Sequence, residues 1–161
     1  MKRIRLFLTT LMVLTLTLLG TMTISAQDFA TGLVRVKSKR TSYYLSTAKS
    51  GVATTTASNT NSYDQVWILV PSGSGYSLRS ANTGEYLQAA FATPAAGKTT
   101  LYIRKSTNAS SSQKFYNISS DSGFGGSKFL NTNTSHNLFA YSMDEGCDCI
   151  LKPLRNSPKM K

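Results

Sequence analysis

The sequence predicts an all-β domain of three pseudo-symmetric units that close into a barrel capped by loops. Two patterns carry that reading. An aromatic–Leu pair recurs as Tyr44-Leu45, Tyr86-Leu87 and Phe129-Leu130, at intervals of 42 and 43 residues. A second marker runs in the same phase: Gln65-Val66-Trp67, Gln113-Lys114-Phe115 and Cys147-Asp148-Cys149. A fixed period of this size marks units that bury their apolar faces only against one another. Closing them into a ring also removes open sheet edges. Units of about 33–71, 72–119 and 120–155, four strands each, give about twelve strands.

Residues 1–26 read as a secretory signal peptide. Lys2, Arg3 and Arg5 precede an uncharged apolar run, and Ser25-Ala26 supplies the small residues for cleavage after Ala26. The domain is therefore expected at 27–155, exported, touching a membrane only through an uncleaved leader. Strand-like segments follow at Leu33–Lys37, Tyr43–Ser46, Val66–Val70, Tyr76–Ser80, Glu85–Gln88, Leu101–Lys105, Lys114–Ser119, Lys128–Asn131, Leu138–Tyr141 and Cys149–Leu151, each rich in β-branched or aromatic residues. Ser72-Gly73-Ser74-Gly75 is a tight hairpin turn, and Asn82-Thr83-Gly84 a second turn. No helical period appears beyond the leader. Phe91–Thr99, with Pro94 and Gly97, reads as an insertion in the second unit. Ser122-Gly123-Phe124-Gly125 reads as the degraded first strand of the third. Residues 156–161 read as a flexible basic tail. By the repeat alignment, Trp67, Phe115 and Cys149 form one core layer, Leu45, Leu87 and Leu130 another, with Gln65 and Gln113 as matching structural positions.

The repeat residues carry a family resemblance. Gln65-x-Trp67, about twenty residues after Tyr44-Leu45, resembles the Gln-x-Trp motif of ricin-B-type β-trefoil lectins, as does the run from Gly75 to Leu87. The resemblance covers Leu33 to Leu154 and weakens in the third unit. It implies a β-trefoil. It also implies a sugar site in each unit, combining an early Asp, a third-strand aromatic and an Asn before Gln-x-Trp. On this alignment no Asp follows a first strand. Asp64 stands before Gln65 and Ser112 before Gln113. Third-strand rings are Tyr102 in the second unit and Tyr141 in the third, while the first offers Thr55-Thr56. Galactose binding in the manner of ricin is not what these positions imply.

Few residues suit catalysis. His136 is the only histidine, and no Gly-x-Ser-x-Gly elbow presents a serine. Asp144, Glu145 and Asp148 are neighbours in sequence, which does not supply the opposed carboxylates of a glycosidase. The Cys147-x-Cys149 spacing fits neither a redox motif nor the usual zinc spacing. No enzyme, metal or cofactor is expected. Beyond the leader, 15 Lys and Arg stand against 7 Asp and Glu. This scattered excess suits a solvated surface or anionic partners, not nucleic acid. Sugar recognition needs a ring for the pyranose face with amides and charged groups for its hydroxyls. Two sets offer that mixture: Tyr102 with Arg104 and Asn108, and Tyr63 with Asn59, Asn61 and Asp64. The expected activity is non-catalytic glycan or polysaccharide binding. Two alternatives stand beside it. One is a protein-interaction or inhibitory trefoil that contacts a secreted or surface protein through the loop starting at Phe91. The other is acidic-polysaccharide binding through Lys37, Lys39, Arg40 and Lys49.

Overall fold

The computed structural model describes residues 32–48 and 51–154; the leader and the basic tail lie outside them. Ten strands form one continuous hydrogen-bonded sheet. In chain order they are β1 (Gly32–Ser38), β2 (Tyr44–Ser46), β3 (Thr54–Thr56), β4 (Trp67–Ser72), β5 (Gly75–Ser80), β6 (Tyr102–Lys105), β7 (Tyr116–Ser119), β8 (Phe129–Thr132), β9 (Leu138–Tyr141) and β10 (Cys149–Pro153). Single-turn 3-10 segments at Tyr63–Gln65 and Glu145–Cys147 precede β4 and β10. Thr54–Thr56 forms a strand that the strand-like segments did not include. Glu85–Gln88 is reduced to isolated bridges of Tyr86 with Arg79 and Ala95.

Six strands close into a ring. β1 pairs with β4 and β10, β4 with β5, β6 with β7, and β7 with β10. The last gap, β5 to β6, is bridged by Tyr76 and Leu101, which exchange both backbone hydrogen bonds at 2.7 and 2.6 Å. Gly75 permits this closure, because a Cβ there would run into the Leu101 carbonyl. The remaining strands make hairpin caps: β2–β3, the Tyr86–Ala95 bridge and β8–β9. The caps interlock through Ala53 N–H on the Ala92 carbonyl (2.8 Å) and Thr55 N–H on the His136 carbonyl (2.9 Å). This is a β-trefoil.

Strand alternation builds the core. On β1, Val34 and Val36 point inward while Arg35 and Lys37 take the outer wall. Leu45, Leu87 and Leu130 are all buried, as are Trp67 and Cys149. The third position of that last layer differs from expectation. The second unit ends in β6, so Leu101, not Phe115, stands where its fourth strand begins, and Leu101 is fully buried. Gln113 is exposed and Phe115 only half-buried. Gln113 Oε1 accepts the Ser110 N–H within the 106–115 loop that joins units two and three. Lys39 Nζ lies 4.8 Å from the centre of the Phe115 ring. The third unit opens with β7, upstream of the Ser122–Gly125 stretch, which is a loop tied by Asp121.

Phe91 also departs from expectation. It is fully buried in the core instead of starting an exposed loop. Its φ of 64° lies in the left-handed region, at a cost of about 1–2 kcal/mol that burial of a large ring offsets.

Candidate functional site

Gln65, the first residue of the Gln-x-Trp pattern, is almost fully buried and organises the loop before it. Its Oε1 accepts the Asn59 N–H at 3.0 Å, and its Nε2 donates to Thr56 Oγ1 at 2.7 Å and to the Ala57 carbonyl. Ser62 Oγ caps the following turn by accepting the Asp64 N–H (3.2 Å), and Asn59 Oδ1 accepts the Asn61 N–H (3.1 Å). Trp67 anchors the end of this segment, donating Nε1–H to the Leu45 carbonyl (3.1 Å).

The loop held in this way lies over the outer wall of β1. There Arg35 is only 7% exposed, and its Nη2 donates to the Asn59 and Thr60 carbonyls at 2.9 and 3.1 Å. Arg35, Thr60, Asn61, Ser62, Tyr63, Val66 and Leu154 line a concavity of about 390 Å³. This lies within the range of small-ligand sites, which combine apolar walls with a few fixed polar groups. Tyr63, 40% exposed, supplies a ring. Of the residues expected here, Tyr63 and Asn61 line the concavity. Asn59 supports it through its backbone, while Asp64 is not among its lining residues, its carbonyl accepting the Thr47 N–H at 2.9 Å. Arg35 and Leu154 had no sequence signal, because the contacts that bring Arg35 to this loop span 24 and 25 residues.

The second expected set lies on β6 and the loop after it. Tyr102 lies on β6 with its ring edge against Gly75. Arg104, on the same strand, stacks on Phe124 at 4.3 Å and donates Nη2–H to Met143 Sδ at 3.4 Å. Asn108 lies in the 106–115 loop, its N–H on Ser106 Oγ (3.2 Å). Tyr141 is 49% exposed on β9, edge-on to Phe139 at 5.8 Å. Asp121 follows β7 and so stands in the early-Asp position of the third unit. Its Oδ2 accepts the Gly125 N–H at 3.1 Å, and Lys128 Nζ lies 4.0 Å from Oδ1. Correct placement of β7 would have revealed it in the sequence.

The Cys147–Cys149 region is packed, not open. Both thiols are free and buried. Burial pushes Cys147 up to about 11 and Cys149 further still, so both stay protonated. Burial would raise Asp144 too, but hydrogen bonds from Asn131 and the Gly146 N–H, with the Arg40 charge, hold it below its ordinary value. Among the described residues no three His, Cys, Asp or Glu side chains group to hold a metal ion. His136 stacks on Tyr43 at 4.2 Å.

A family model described as ricin-type beta-trefoil lectin domain-like matches residues 23–103. The chain belongs to that family. None of the curated proteins matches it. Solved structures share the trefoil at low identity. The ricin B-like lectin of Macrolepiota procera, solved in complex with lactose, is 10% identical with a TM-score of 0.64, covering 78% of this chain and 99% of that one. The Rhizoctonia solani agglutinin is 14% identical with a TM-score of 0.60, covering 80% and 99%. A GlcNAcα1-4Gal-releasing endo-β-galactosidase from Clostridium perfringens is 11% identical with a TM-score of 0.59, covering 77% of this chain but 33% of the enzyme. The trefoil thus occurs as a nearly whole chain, and the same fold also occurs as one part of a larger enzyme.

Proposed function

We propose that this protein is an exported, non-catalytic glycan-binding module, and that it binds sugar in the concavity between β1 and the 60–63 loop. The observation that carries the reading is the concavity itself. An exposed Tyr63 ring, the Asn61 amide and the Ser62 and Thr60 hydroxyls surround about 390 Å³ on a loop fixed by Gln65. A ring facing the apolar side of a pyranose, with fixed donors and acceptors for its hydroxyls, is the chemistry of sugar recognition. Family membership supports the reading, and so does the lactose bound by the Macrolepiota procera lectin. Export rests on the leader expected at residues 1–26. In the protein-interaction alternative, Phe91 is buried and only the rest of the 91–99 loop is left to make the contact.

A glycan array at low and physiological salt tests the reading, followed by titration of the captured sugars. Tyr63→Ala and Asn61→Ala are expected to weaken binding about tenfold or more, the loss of one stacked ring or fixed hydrogen bond. Tyr141→Ala and Tyr102→Ala should change it less than about twofold. Failure to capture any glycan in either buffer, or indifference to Tyr63→Ala, overturns this assignment.

A further inference from the structure

Arg35 is a charge in an unusual position. It lies on the barrel wall, 7% exposed, with two carbonyls as hydrogen-bond partners and none for Nε. Carbonyls accept its protons but do not neutralise its charge, and a buried charge is costly unless paired. The ion pairs among the described residues are Lys39–Asp148, Arg40–Asp144 and Lys128–Asp121; none involves Arg35. Its cross-strand partner on β10 is Lys152, a second cation, and like charges directly opposite destabilise a sheet. Lys152 turns its ammonium toward Tyr44, donating to the hydroxyl at 3.1 Å. Lys37, two residues along β1 from Arg35, adds a third positive group to the same wall.

Among the described residues, none that lines the Arg35 concavity carries a carboxylate. Its other walls are Thr60, Asn61, Ser62, Tyr63, Val66 and Leu154. Three cations on one wall, and a ring-bearing cavity with no acid among its described lining residues, call for a ligand that brings its own negative charge.

We infer that the ligand is a carboxylate-bearing pyranose, a uronate or another acidic sugar, with its carboxylate seated on Arg35 and its ring beside Tyr63. The inference rests on the glycan-binding function proposed for this concavity and names the class of sugar. Nη2 is spent on the two carbonyls and Nε is buried, so Nη1 is the group left to donate to a carboxylate oxygen, and such charge-assisted bonds are roughly twice as strong as neutral ones. The site is pre-formed: the Asn59 and Thr60 carbonyls orient the guanidinium, and Gln65 fixes the loop that carries them.

Calorimetric titration of the purified protein with glucuronate, glucuronamide and glucose tests the inference without altering the chain. Glucuronate is expected to bind about tenfold or more tightly than either neutral analogue, the increment of one charge-assisted contact. Arg35→Lys should erase most of that preference while Tyr63→Ala weakens all three sugars. Thermal melts report whether each variant folds, and the ligand series stands if Arg35→Lys does not. Equal binding of glucose and glucuronate, both lost in Tyr63→Ala, overturns the acidic preference and leaves the glycan module intact. Binding of acetate as tight as glucuronate, unmoved by Tyr63→Ala, overturns the sugar assignment, since a bare anion seat needs no ring. No binding of any of the three sugars or of acetate overturns both.

Discussion

In the first unit the fourth strand begins at Trp67, two residues after Gln65; in the third it begins at Cys149, after Cys147 and Asp148. Gln65 directs its carboxamide into its own loop and holds that loop over Arg35, leaving a concavity. Asp148 draws partners from across the molecule: Ser106 Oγ at 2.6 Å, Asn117 Nδ2 at 3.1 Å and Lys39 Nζ at 3.2 Å. One arrangement shapes a surface; the other ties the three units together. The indole also fills its layer and bonds the Leu45 carbonyl, whereas beside the smaller Cys149 a void of about 10 Å³ remains among Val36, Leu45, Leu130 and Leu138. Gly146 belongs to the packed end, since a Cβ there would collide with Asn131 and Arg40. Equivalent segments of a pseudo-symmetric barrel can thus diverge once the shared core layer is kept.

The largest expected effect tests that core layer. Trp67→Ala should destabilise by about 3–5 kcal/mol in urea unfolding, through lost burial and a residual cavity. Phe115→Ala should cost less than about 1 kcal/mol, since that ring is half-buried and its cation contact is with an exposed lysine. Comparable losses for the two would restore Phe115 to the core and undo the strand order of the second unit.

Next comes the tie. Asp148→Ala leaves Ser106 and Asn117 with unsatisfied buried donors, and a loss of about 3 kcal/mol is expected in the same assay. A change below about 1 kcal/mol would show that the carboxylate holds nothing together.

A smaller effect separates structure from binding. Gln65→Ala should cost about 1–2 kcal/mol, yet weaken sugar binding at temperatures well below unfolding, because the 59–65 loop loses its support. Gln113→Ala, exposed in its own loop, should stay within about 0.5 kcal/mol and leave binding unchanged. Intact sugar binding in folded Gln65→Ala would sever the loop from the site.

The smallest effect is a pH dependence of the packed end. Burial raises both cysteine pKa values in the folded protein, Cys147 from 9.0 to about 11. The folded state therefore holds these protons more tightly than the unfolded chain. The Cys147 contribution is complete below pH 9 and is lost as pH rises through about 11, while that of Cys149 is still falling above it. Melting temperature should fall across that window and fall less in Cys147→Ala. A melting temperature as flat in the native protein as in the variant would contradict the buried-thiol assignment.

Much of this fold was legible because its signal repeats. The aromatic–Leu pairs placed Leu45, Leu87 and Leu130 in one buried layer, and the glycine turn at Gly73–Ser74 marked the β4–β5 hairpin. The register of the second unit was not legible. Its fourth strand follows Thr99-Thr100-Leu101, which lacks the marker, while Gln113-Lys114-Phe115 imitates it in a connecting loop. Tyr63 and Asn61 could be singled out as a ring and an amide close in sequence. Arg35 could not, since alternation along β1 sends its side chain outward and says nothing of what covers it.

By itself, the sequence determined the class of architecture and the buried layers, because period and alternation are local properties repeated along the chain. Tertiary structure decided which third residue completes the Trp67 layer, that Phe91 is core, and that a buried cation and an exposed ring line one concavity. Those outcomes depend on loops of unequal length meeting across the barrel, where burial and hydrogen bonding between distant residues outweigh any local pattern.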